Sequence, residues 1–410
     1  MSLQAALEEM GRAARDAATV LRTASADQRS QAIQAMARHV RARANEILAA
    51  NAEDVAGATA MVDRLMLNDE RLEAIAIALE QVAALPDPVG QVMARWLRPN
   101  GLDISRVRTP IGVIGMIYES RPNVTADAAA ICIRSGNAII LRSGSEALRS
   151  ALAIHGALAE GLKEAGLPEA AVQIVPTADR AAVGMMLEGL GGAIDLIIPR
   201  GGRALVERVS QEARVPVLGH LEGVCHTYVH ASAEPDMAAE VVRNAKLRRT
   251  SVCGSTETLL IDRSVAPSLL PQIAEVLEGC ELRGDKESQA IVPMAAASEA
   301  DWHAEYLAPI LAVKAVNGID EAIAHIARYG TGHTEAIVAE DEQAAEHFLD
   351  RVDSAIVIWN ASTQFADGGE FGFGAEIGIA TGRLHVRGPV GPEQLTTFKY
   401  QVRGSGQIRP

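Results

Sequence analysis

One of the four cysteines in this 410-residue chain stands in a setting that favours nucleophilic chemistry. Cys253 follows a basic segment that carries Arg243, Lys246, Arg248 and Arg249. Because the thiolate is the nucleophilic form of cysteine and nearby cations lower the pKa of a thiol, this pattern predicts a reactive residue. The same cations could bind an anionic substrate. The alternative is a buried, unreactive cysteine that follows a solvated basic helix end.

The other three cysteines lack that setting. Cys132 lies in an apolar helical pattern, where we expect a small core residue, and Cys280 has no basic neighbours. Cys225 has three histidines close by in sequence, but they straddle a predicted strand and no second thiol ligand follows. We therefore expect no metal site.

Two predicted strand-to-helix turns could hold phosphate groups. Their sequences are Arg142-Ser143-Gly144-Ser145 and Pro199-Arg200-Gly201-Gly202. Glycine lets the backbone approach a ligand closely, and the free N–H groups at the start of a helix bind anions. Both segments could equally be ordinary turns. The usual dinucleotide-binding pattern, G-x-G-x-x-G, is absent from the sequence.

Short apolar strands alternate with helices from residue 109 onward. The alternation indicates parallel sheets buried on both faces, and we expect the first sheet to bind its ligand at the carboxyl ends of its strands. We expect an α/β fold of two domains with a boundary near residue 224, preceded by helices over the first 85 residues and a turn at Asn100-Gly101. The predicted strands are Val113–Ile117, Ala138–Leu141, Val172–Val175, Ile194–Ile198, Val215–Leu218, Thr227–His230, Glu257–Ile261, Ile310–Val316, Glu335–Val338, Ala355–Ile358 and Leu395–Val402. The predicted helices among them are Thr125–Arg134, Glu146–Ala165, Gly202–Gln211, Pro235–Leu247, Ala266–Leu277, Ile319–Arg328 and Glu342–Leu349.

The composition excludes several classes of protein. A net charge of −14 disfavours nucleic-acid and anionic-membrane partners. The longest apolar runs are too short to cross a membrane, and the N-terminus lacks the apolar core of a signal peptide. Four cysteines without a C-x-x-C pair do not form a disulfide framework. We expect a cytoplasmic protein.

Three blocks of sequence are distinctive: RTPIGV with YESRPNVT between residues 108 and 125, VVRNAK with VC and ETLL between 241 and 260, and NAST with FGFGAEIG between 360 and 378. Together they resemble the gamma-glutamyl phosphate reductase family of the aldehyde dehydrogenase superfamily. The resemblance extends to about residue 392 and implies an aldehyde-dehydrogenase-like fold, whose Rossmann-like cofactor domain dispenses with G-x-G-x-x-G. It also implies NADP(H)-dependent reduction of L-glutamyl 5-phosphate to L-glutamate 5-semialdehyde, with release of phosphate, in proline biosynthesis.

The resemblance assigns catalytic roles to individual residues. Cys253 would attack the acyl phosphate and form a thioester, while the Asn123 amide and the Cys253 N–H bind the oxyanion. Glu305 would bind the nicotinamide ribose. Glu222 occupies the place of the superfamily's hydrolytic glutamate, and we expect it to be silent because attack by water would waste the thioester.

The resemblance also suggests the choice of cofactor. Ser145 stands where NAD-preferring members of the superfamily have a carboxylate, and Arg142 suits a 2′-phosphate, so we expect NADP(H). Glu146 should turn onto the helix face. The candidates for binding the substrate's anionic groups and for lining its pocket are Arg121, Lys246, Arg248, Arg249 and Phe373.

The family's organisation implies three parts in this chain. Residues 1–224 would form the NADP-binding domain, with 91–106 in a small β oligomerisation element and 365–393 returning to the cofactor domain. Residues 225–364 would form the catalytic domain, and 394–410 an oligomerisation strand and tail. We expect a homo-oligomer, either a dimer or a dimer of dimers, with the upstream glutamate 5-kinase as a partner.

The chain departs from the family next to the nucleophile. Many members have Cys-Asn-Ala, where this chain has Cys253-Gly254-Ser255, and Thr250-Ser251 replaces a common Pro-Gly. The departure removes an amide side chain and leaves the thiol in place.

Two other functions stay open on the sequence. One is hydrolytic oxidation of an aldehyde, which would need Glu222 as the base. The other is a catalytically silent member that acts as a binding subunit, and the presence of Cys253, Asn123 and Glu305 argues against it.

Overall fold

The computed structural model describes residues 2–58 and 62–409, which divide into two compact units. The first unit comprises the chain up to Gly219, Gly372–Gly378 and the chain from Val390 onward, and the second comprises His220–Phe371 and Ile379–Pro389. The boundary between the units therefore lies a few residues before the expected residue 224. Within the second unit, Nδ1 of His220 forms a hydrogen bond to the carbonyl of Ile379 at 2.7 Å. Met1, residues 59–61 and Pro410, which the predicted domains include, lie outside the described residues.

The segment 365–393 differs from the expectation that it returns as a whole to the cofactor domain. Residues 372–378 and 390–393 belong to the first unit, whereas 365–371 and 379–389 belong to the second.

The helices of the first unit are α1 Leu3–Leu21, α2 Ala26–Ala42, α3 Ala44–Gly57, α4 Val62–Leu65, α5 Asp69–Ala84, α6 Val124–Arg134, α7 Leu148–Glu164, α8 Ala181–Leu187 and α9 Arg203–Glu212. Three of them, α1, α2 and α5, begin at the capping side chains of Ser2, Ser25 and Asn68. Ser25 and Asn68 accept hydrogen bonds from the N–H groups of Gln28 (3.1 Å) and Arg71 (2.8 Å). These bonds satisfy donors that the first turns of α2 and α5 leave free, which explains where both helices start.

The central sheet of the first unit is parallel, as the sequence predicts. Its strands are β3 Val113–Tyr118, β4 Ala138–Ser143, β5 Val172–Ile174 and β6 Leu196–Arg200, in the order β5-β4-β3-β6. Every residue of β3 and β4 is buried, which accounts for their continuous apolar sequences. The predicted strand Val215–Leu218 is wrong, because only an isolated bridge joins Val217 to Ile197. Pro216 lacks the N–H donor that a longer ladder would need.

The first unit also contains an antiparallel sheet whose strands lie far apart in sequence. It contains β1 Val92–Leu97, β2 Asp103–Pro110 and β16 Thr396–Arg403, in the order β1-β2-β16. The predicted turn between β1 and β2 is confirmed: Gly101 has a φ of 87°, a conformation that favours glycine, and its N–H donates to the Arg98 carbonyl at 2.9 Å. Large apolar side chains on this sheet are exposed, including Leu97 and Tyr400.

The second unit is built on a seven-stranded parallel sheet in the order β10-β9-β11-β8-β7-β12-β13. Its strands are β7 Cys225–Val229, β8 Thr256–Asp262, β9 Glu281–Gly284, β10 Ala295–Ala296, β11 Ile310–Val316, β12 Thr334–Val338 and β13 Ile356–Trp359. A small antiparallel pair follows, β14 Ile379–Ala380 with β15 Gly388–Pro389. The helices are α10 Pro235–Leu247, α11 Ala266–Val276, α12 Lys286–Ile291, α13 Ile319–Tyr329 and α14 Glu342–Arg351. Four short elements, α8, α12, β9 and β10, and the β14–β15 pair were not predicted from the sequence.

Among the helices of residues 2–58 and 62–409, none combines the length and the apolar character that crossing a lipid bilayer requires.

Candidate active site

Cys253 lies in the turn that connects α10 to β8. The carbonyl of Cys253 accepts a bond from the Cys225 thiol at 3.1 Å, and the Ser255 N–H closes the turn on the Val252 carbonyl at 3.0 Å. Gly223 packs against the same segment, and a Cβ added to Gly223 would lie 2.2 Å from the carbonyl oxygen of Cys253. The position of the nucleophile is therefore fixed by its backbone.

Two imidazoles flank the Cys253 thiol. One nitrogen each of His220 and His333 and the sulfur of Cys253 all lie within 4.8 Å of one another. The two rings meet edge to face, with centroids 4.9 Å apart. Each of the three residues precedes a strand of the second unit, and those strands, β7, β8 and β12, are neighbours in the sheet. Cys253, His220 and His333 therefore meet at the edge of the sheet where these three parallel strands begin.

The imidazoles change the acidity of the Cys253 thiol. Burial alone would raise the pKa of this thiol, but His333 and His220 outweigh it and hold the pKa well below its ordinary value. Burial raises the pKa of Cys225 and Cys132 far above the ordinary value, and that of Cys280 to about 11. Of the four cysteines, Cys253 alone has surroundings that favour the thiolate.

Two glutamates, Glu305 and Glu222, lie near Cys253 in the second unit. The carboxylate of Glu305 accepts a hydrogen bond from the Gly223 N–H at 2.9 Å, and burial raises the pKa of Glu305. The charges of Cys253 and Glu222 raise the Glu305 pKa further. A carboxylate has two oxygens, so binding of the nicotinamide ribose by the other oxygen of Glu305 stays a prediction.

The basic segment before Cys253 divides into buried and exposed residues. Lys246 is completely buried, and its ammonium group donates to the carboxylate of Glu257 at 2.5 Å. Burial raises the pKa of Glu257 to about 7, although Lys246 opposes the shift. This pairing corrects the expectation that Lys246 binds a substrate anion, since its ammonium is enclosed and already matched by a carboxylate. Arg248 and Arg249 are exposed and remain candidates.

The segment around Arg248 and Arg249 is held by a residue from elsewhere in the second unit. The side-chain amide of Gln364 donates to the carbonyls of Ala245 (3.0 Å) and Arg249 (3.1 Å). Gln364 therefore fixes the end of α10, from which the chain leads to Cys253.

Gly254 occupies the place where the family commonly has asparagine. A Cβ at Gly254 would lie 3.0 Å from the Thr363 carbonyl oxygen and 3.4 Å from the Ala366 Cβ. Because that first contact is tighter than most Cβ contacts, a larger side chain would require the Thr363 backbone to shift by a few tenths of an ångström.

Asn123, the predicted oxyanion donor, lies in the first unit just before α6. Its amide donates to the carboxylate of Asp127 at 2.9 Å. Burial raises the pKa of Asp127 to about 6, while Asn123 and Arg200 act to lower it. An amide carries two N–H groups, so one is left for an oxyanion. Asn123 and the neighbouring Arg121 therefore remain predictions.

The loop predicted to bind the 2′-phosphate contains a buried guanidinium group. Arg142 is only 8% exposed, and one of its terminal nitrogens donates to the Ala178 carbonyl at 3.1 Å. Its Nε is buried without a hydrogen-bond partner in the described part of the chain. Burial lowers the pKa of Arg142, Glu146 raises it, and Arg180 and Arg208 lower it further. Arg180 and Arg208 are therefore close enough to Arg142 for their charges to affect it, and such a group of guanidinium side chains favours an anion.

Glu146 does not turn onto the helix face as expected. Its carboxylate accepts hydrogen bonds from the N–H and the hydroxyl of Ser120, both at 2.8 Å. A Cβ on Gly144 would lie 2.2 Å from the same carboxylate. The expectation was wrong because these two donors draw the side chain back over the loop that contains Ser143, Gly144 and Ser145.

The second predicted phosphate loop, residues 199–202, starts a helix but carries its own acid. The N–H of Gly202 donates to the carboxylate of Glu119 at 2.9 Å. A Cβ on Gly201 would lie 2.5 Å from that carboxylate and 2.8 Å from the Leu205 side chain. In this structure the helix start binds an internal carboxylate, and phosphate binding by Pro199, Arg200, Gly201 and Gly202 stays a prediction.

Phe373, predicted for the pocket wall, lies in the returning segment of the first unit. Its carbonyl accepts from the Ala375 N–H at 2.9 Å, and a Cβ on Gly391 would lie 3.2 Å from its Cβ. The side chain is partly buried, and its contact with substrate stays a prediction.

His333 was not among the residues predicted from the sequence, and His220 was considered there only as one of the three histidines close to Cys225. The available signal was position, because each histidine precedes a predicted strand, as Cys253 does. The order of the strands, which makes them neighbours, is not written in the sequence.

The chain is similar to characterised families over its whole length. Residues 2–308 and 296–376 match the family model described as aldehyde dehydrogenase family. A gamma-glutamyl phosphate reductase of Caulobacter sp. (strain K31) is 65% identical, covering 100% of both chains. One of Parvibaculum lavamentivorans is 61% identical, covering 98% of this chain and 97% of its own.

Solved structures agree with these relatives. The crystal structure of gamma-glutamyl phosphate reductase from Thermotoga maritima superimposes with a TM-score of 0.95 at 45% identity, covering 98% of this chain and 99% of that one. An engineered glycolyl-CoA reductase with bound NADP⁺ has a TM-score of 0.69 at 15% identity, covering 96% of this chain and 95% of that one. The second likeness concerns the fold alone.

Proposed function

Because the chain belongs to the aldehyde dehydrogenase family and, within it, to the gamma-glutamyl phosphate reductases, we propose that it reduces L-glutamyl 5-phosphate to L-glutamate 5-semialdehyde with release of phosphate. The proposed reaction uses NADPH and is the second step of proline biosynthesis from glutamate. The observation that carries the proposal is the Cys253 thiol, whose pKa is held well below its ordinary value by His333 and His220 against the effect of burial.

The proposed chemistry begins with covalent catalysis. The Cys253 thiolate attacks the acyl carbon, the bond to phosphate breaks, and a thioester forms. NADPH, when bound, supplies the hydride that reduces this thioester. The C–S bond then breaks, and the thiolate leaves as the aldehyde is released. The Asn123 amide and the Cys253 N–H are the proposed donors to the oxyanion that appears in both halves, and loss of one such donor costs roughly 10²–10³ in rate.

The proposed cofactor is NADP(H), held at its 2′-phosphate by the loop from Arg142 to Ser145. The support is the influence of two further guanidinium groups, Arg180 and Arg208, on the pKa of Arg142. Glu146 is a countercharge at the same loop, so the preference for NADP(H) over NAD(H) is a quantity to measure.

The proposed assembly is a homo-oligomer in the cytoplasm. The three-stranded sheet β1-β2-β16 exposes Leu97 (74%), Tyr400 (56%) and Val402 (55%), and a second copy of this chain is the partner that we propose for it. All four cysteines are free thiols, as expected in a reducing compartment. Glutamate 5-kinase, which would make the acyl phosphate, is the proposed upstream partner.

The test runs the reaction backwards, because acyl phosphates are short-lived. The purified protein receives glutamate 5-semialdehyde and NADP⁺ with or without inorganic phosphate, and NADPH absorbance is followed. We expect turnover only with phosphate. Turnover without phosphate would instead indicate hydrolysis with Glu222 as the base, and no turnover in a folded sample that binds NADP⁺ would indicate a silent binding protein.

A further inference from the structure

The proposed reaction needs a proton that its two reactants do not carry. An acyl phosphate dianion and NADPH give an aldehyde, NADP⁺ and a phosphate that would leave as a trianion. Phosphate departs readily only as the monohydrogen dianion, so one proton must reach the leaving oxygen. The need for this proton rests on the proposed function, and its source must be a group beside Cys253.

The orientation of His220 is fixed by a backbone carbonyl. Its Nδ1 lies 2.7 Å from the carbonyl oxygen of Ile379, which can only accept, so Nδ1 carries a hydrogen and donates it. The nitrogen that remains for Cys253 is Nε2, and in the neutral ring this nitrogen has a lone pair. An imidazole held in this way is ready to take the thiol proton.

His333 is differently placed. It is completely buried, and its Nδ1 lies 2.9 Å from the Thr334 hydroxyl oxygen and 3.5 Å from the Cys225 sulfur. Its Nε2 is buried without a hydrogen-bond partner among the described residues. His220, by contrast, is partly exposed. Only His220 can exchange a proton with solvent without opening the core.

We propose that His220 is a catalytic residue that accepts the proton of Cys253 and delivers it to the departing phosphate, while His333 stabilises the thiolate by its position. In the resting pair the thiol proton is on Nε2 of His220 and the sulfur is a thiolate. The sulfur forms a bond to the acyl carbon, and the carbon–oxygen bond to phosphate breaks with its electron pair on oxygen. The Nε2 proton passes to that oxygen, which leaves as monohydrogen phosphate.

The second half of the reaction restores the pair. The thioester is reduced by hydride as NADPH is oxidised to NADP⁺, and the C–S bond breaks with its electron pair on sulfur. This step regenerates the thiolate beside a neutral His220. His220 then takes one proton from solvent at Nε2, so each turnover consumes one proton overall.

The first test measures the thiolate without any turnover. The rate of iodoacetamide alkylation is followed against pH, and the modified peptide is identified so that Cys253 is separated from Cys225. We expect the wild type to react at pH values well below the ordinary thiol pKa, and His220→Gln and His333→Gln to move the midpoint upward. His347→Gln, in which an exposed histidine 3.2 Å from Asp320 is replaced, is the matched control and should leave the midpoint unchanged.

The second test separates proton delivery from thiolate formation. At high pH both variants have a thiolate, so His333→Gln should recover phosphate-dependent oxidation of the semialdehyde, while His220→Gln stays reduced by about 10²-fold or more. Acylation by p-nitrophenyl acetate, whose leaving group departs without a proton, should recover in both. Recovery of the phosphate-dependent rate in His220→Gln would overturn the proposal.

The two tests also separate this proposal from the proposed function. If the wild type shows no phosphate-dependent turnover but His220→Gln still raises the midpoint of alkylation, the reaction assignment fails and the role of His220 as the proton acceptor of Cys253 stands. If the alkylation midpoint of His220→Gln equals that of the wild type, the proposal for His220 fails whatever the substrate.

Discussion

Gly223 lies against the backbone of Cys253 so closely that a Cβ on Gly223 would be 2.2 Å from the Cys253 carbonyl oxygen. The same glycine donates its N–H to Glu305 at 2.9 Å. One residue without a side chain therefore spaces the nucleophile from the carboxylate proposed to bind the cofactor ribose.

We expect Gly223→Ala to lower turnover by about 100-fold, because a misplacement of about 1 Å at a reacting group can cost that much. The added methyl group must push the Cys253 segment away, so alkylation of Cys253 should slow as well. Steady-state kinetics and peptide-resolved alkylation measure both effects. Gly57→Ala, where an added Cβ meets nothing within 4 Å, is the control. Unchanged kinetics in Gly223→Ala would show that the loop moves freely.

We expect Lys246→Met to reduce stability and not substrate affinity. The variant leaves the Glu257 carboxylate buried without its partner, which costs about 3–5 kcal/mol in comparable cases. The double variant Lys246→Met with Glu257→Met should recover much of this loss, because well-packed apolar residues can replace a buried pair. Urea unfolding measures the free energies. A variant with wild-type stability and a raised KM for substrate would return Lys246 to the binding site.

We expect Asp127 to make folding stability depend on pH. Burial raises its pKa from 3.8 to about 6, so between these values the folded state holds a proton that the unfolded state has lost. The contribution is complete at low pH and is lost as the pH rises through about 6, by up to about 3 kcal/mol. Urea unfolding of Asp127→Asn should lack this slope and show higher stability than the wild type at pH 7. The control is exposed Asp16→Asn, and an identical slope in wild type and Asp127→Asn would contradict the prediction.

We expect Arg180→Gln to weaken binding of NADPH more than binding of NADH. The charge of Arg180 affects that of the buried Arg142, which places Arg180 at the loop proposed for the 2′-phosphate. Loss of a hydrogen bond to that charged group costs roughly 1.5–3 kcal/mol, which corresponds to about a tenfold or greater rise in KM for NADPH. Initial rates with the two cofactors give the ratio, and Arg149→Gln, on the surface of α7, is the control. Equal losses with both cofactors would place Arg180 away from the 2′-phosphate.

We expect the exposed sheet β1-β2-β16 to be covered in solution by a second copy. Leu97→Glu with Tyr400→Glu would bury two charges in that contact, so light scattering should show a fall from an oligomer toward the 43.3 kDa monomer. Ser405→Glu, which lies beyond the end of β16, is the control. A monomeric wild type would remove the proposal, and an oligomer that survives the double change would place the contact elsewhere.

Helices and strands whose bounds depend on residues close together in sequence were predicted well. The bounds of α10 and β11 agree with the expectation to the residue, because Pro235 opens the helix and Ile310–Val316 is a run of apolar residues, with Lys314 as the exception, between turns. The α/β architecture with parallel sheets, which the same kind of signal predicts, is confirmed by the structure. Charge in sequence was a poorer guide, because it does not say which way a side chain points. Lys246 and Glu146 both turn toward buried or local partners that propensity alone does not reveal.

The site was only half predictable for a related reason. Cys253 could be singled out by its basic neighbours, although the groups that lower its pKa in the structure are His333 and His220, far away in sequence. Their meeting depends on β7, β8 and β12 being adjacent, and strand order is a property of the folded sheet.

The placement of Cys253, His220 and His333 before their strands also determines where this chain can accept extra sequence. In parallel strands the segments that follow β7, β8 and β12 emerge at the opposite edge of the sheet from the reacting groups. A tag or small domain inserted after Asp262, at the end of β8, would lengthen a connection that does not hold the nucleophile. An insertion of the same size before Thr256 would separate Cys253 from both imidazoles, so tolerance to insertion should differ sharply between the two ends of a single strand.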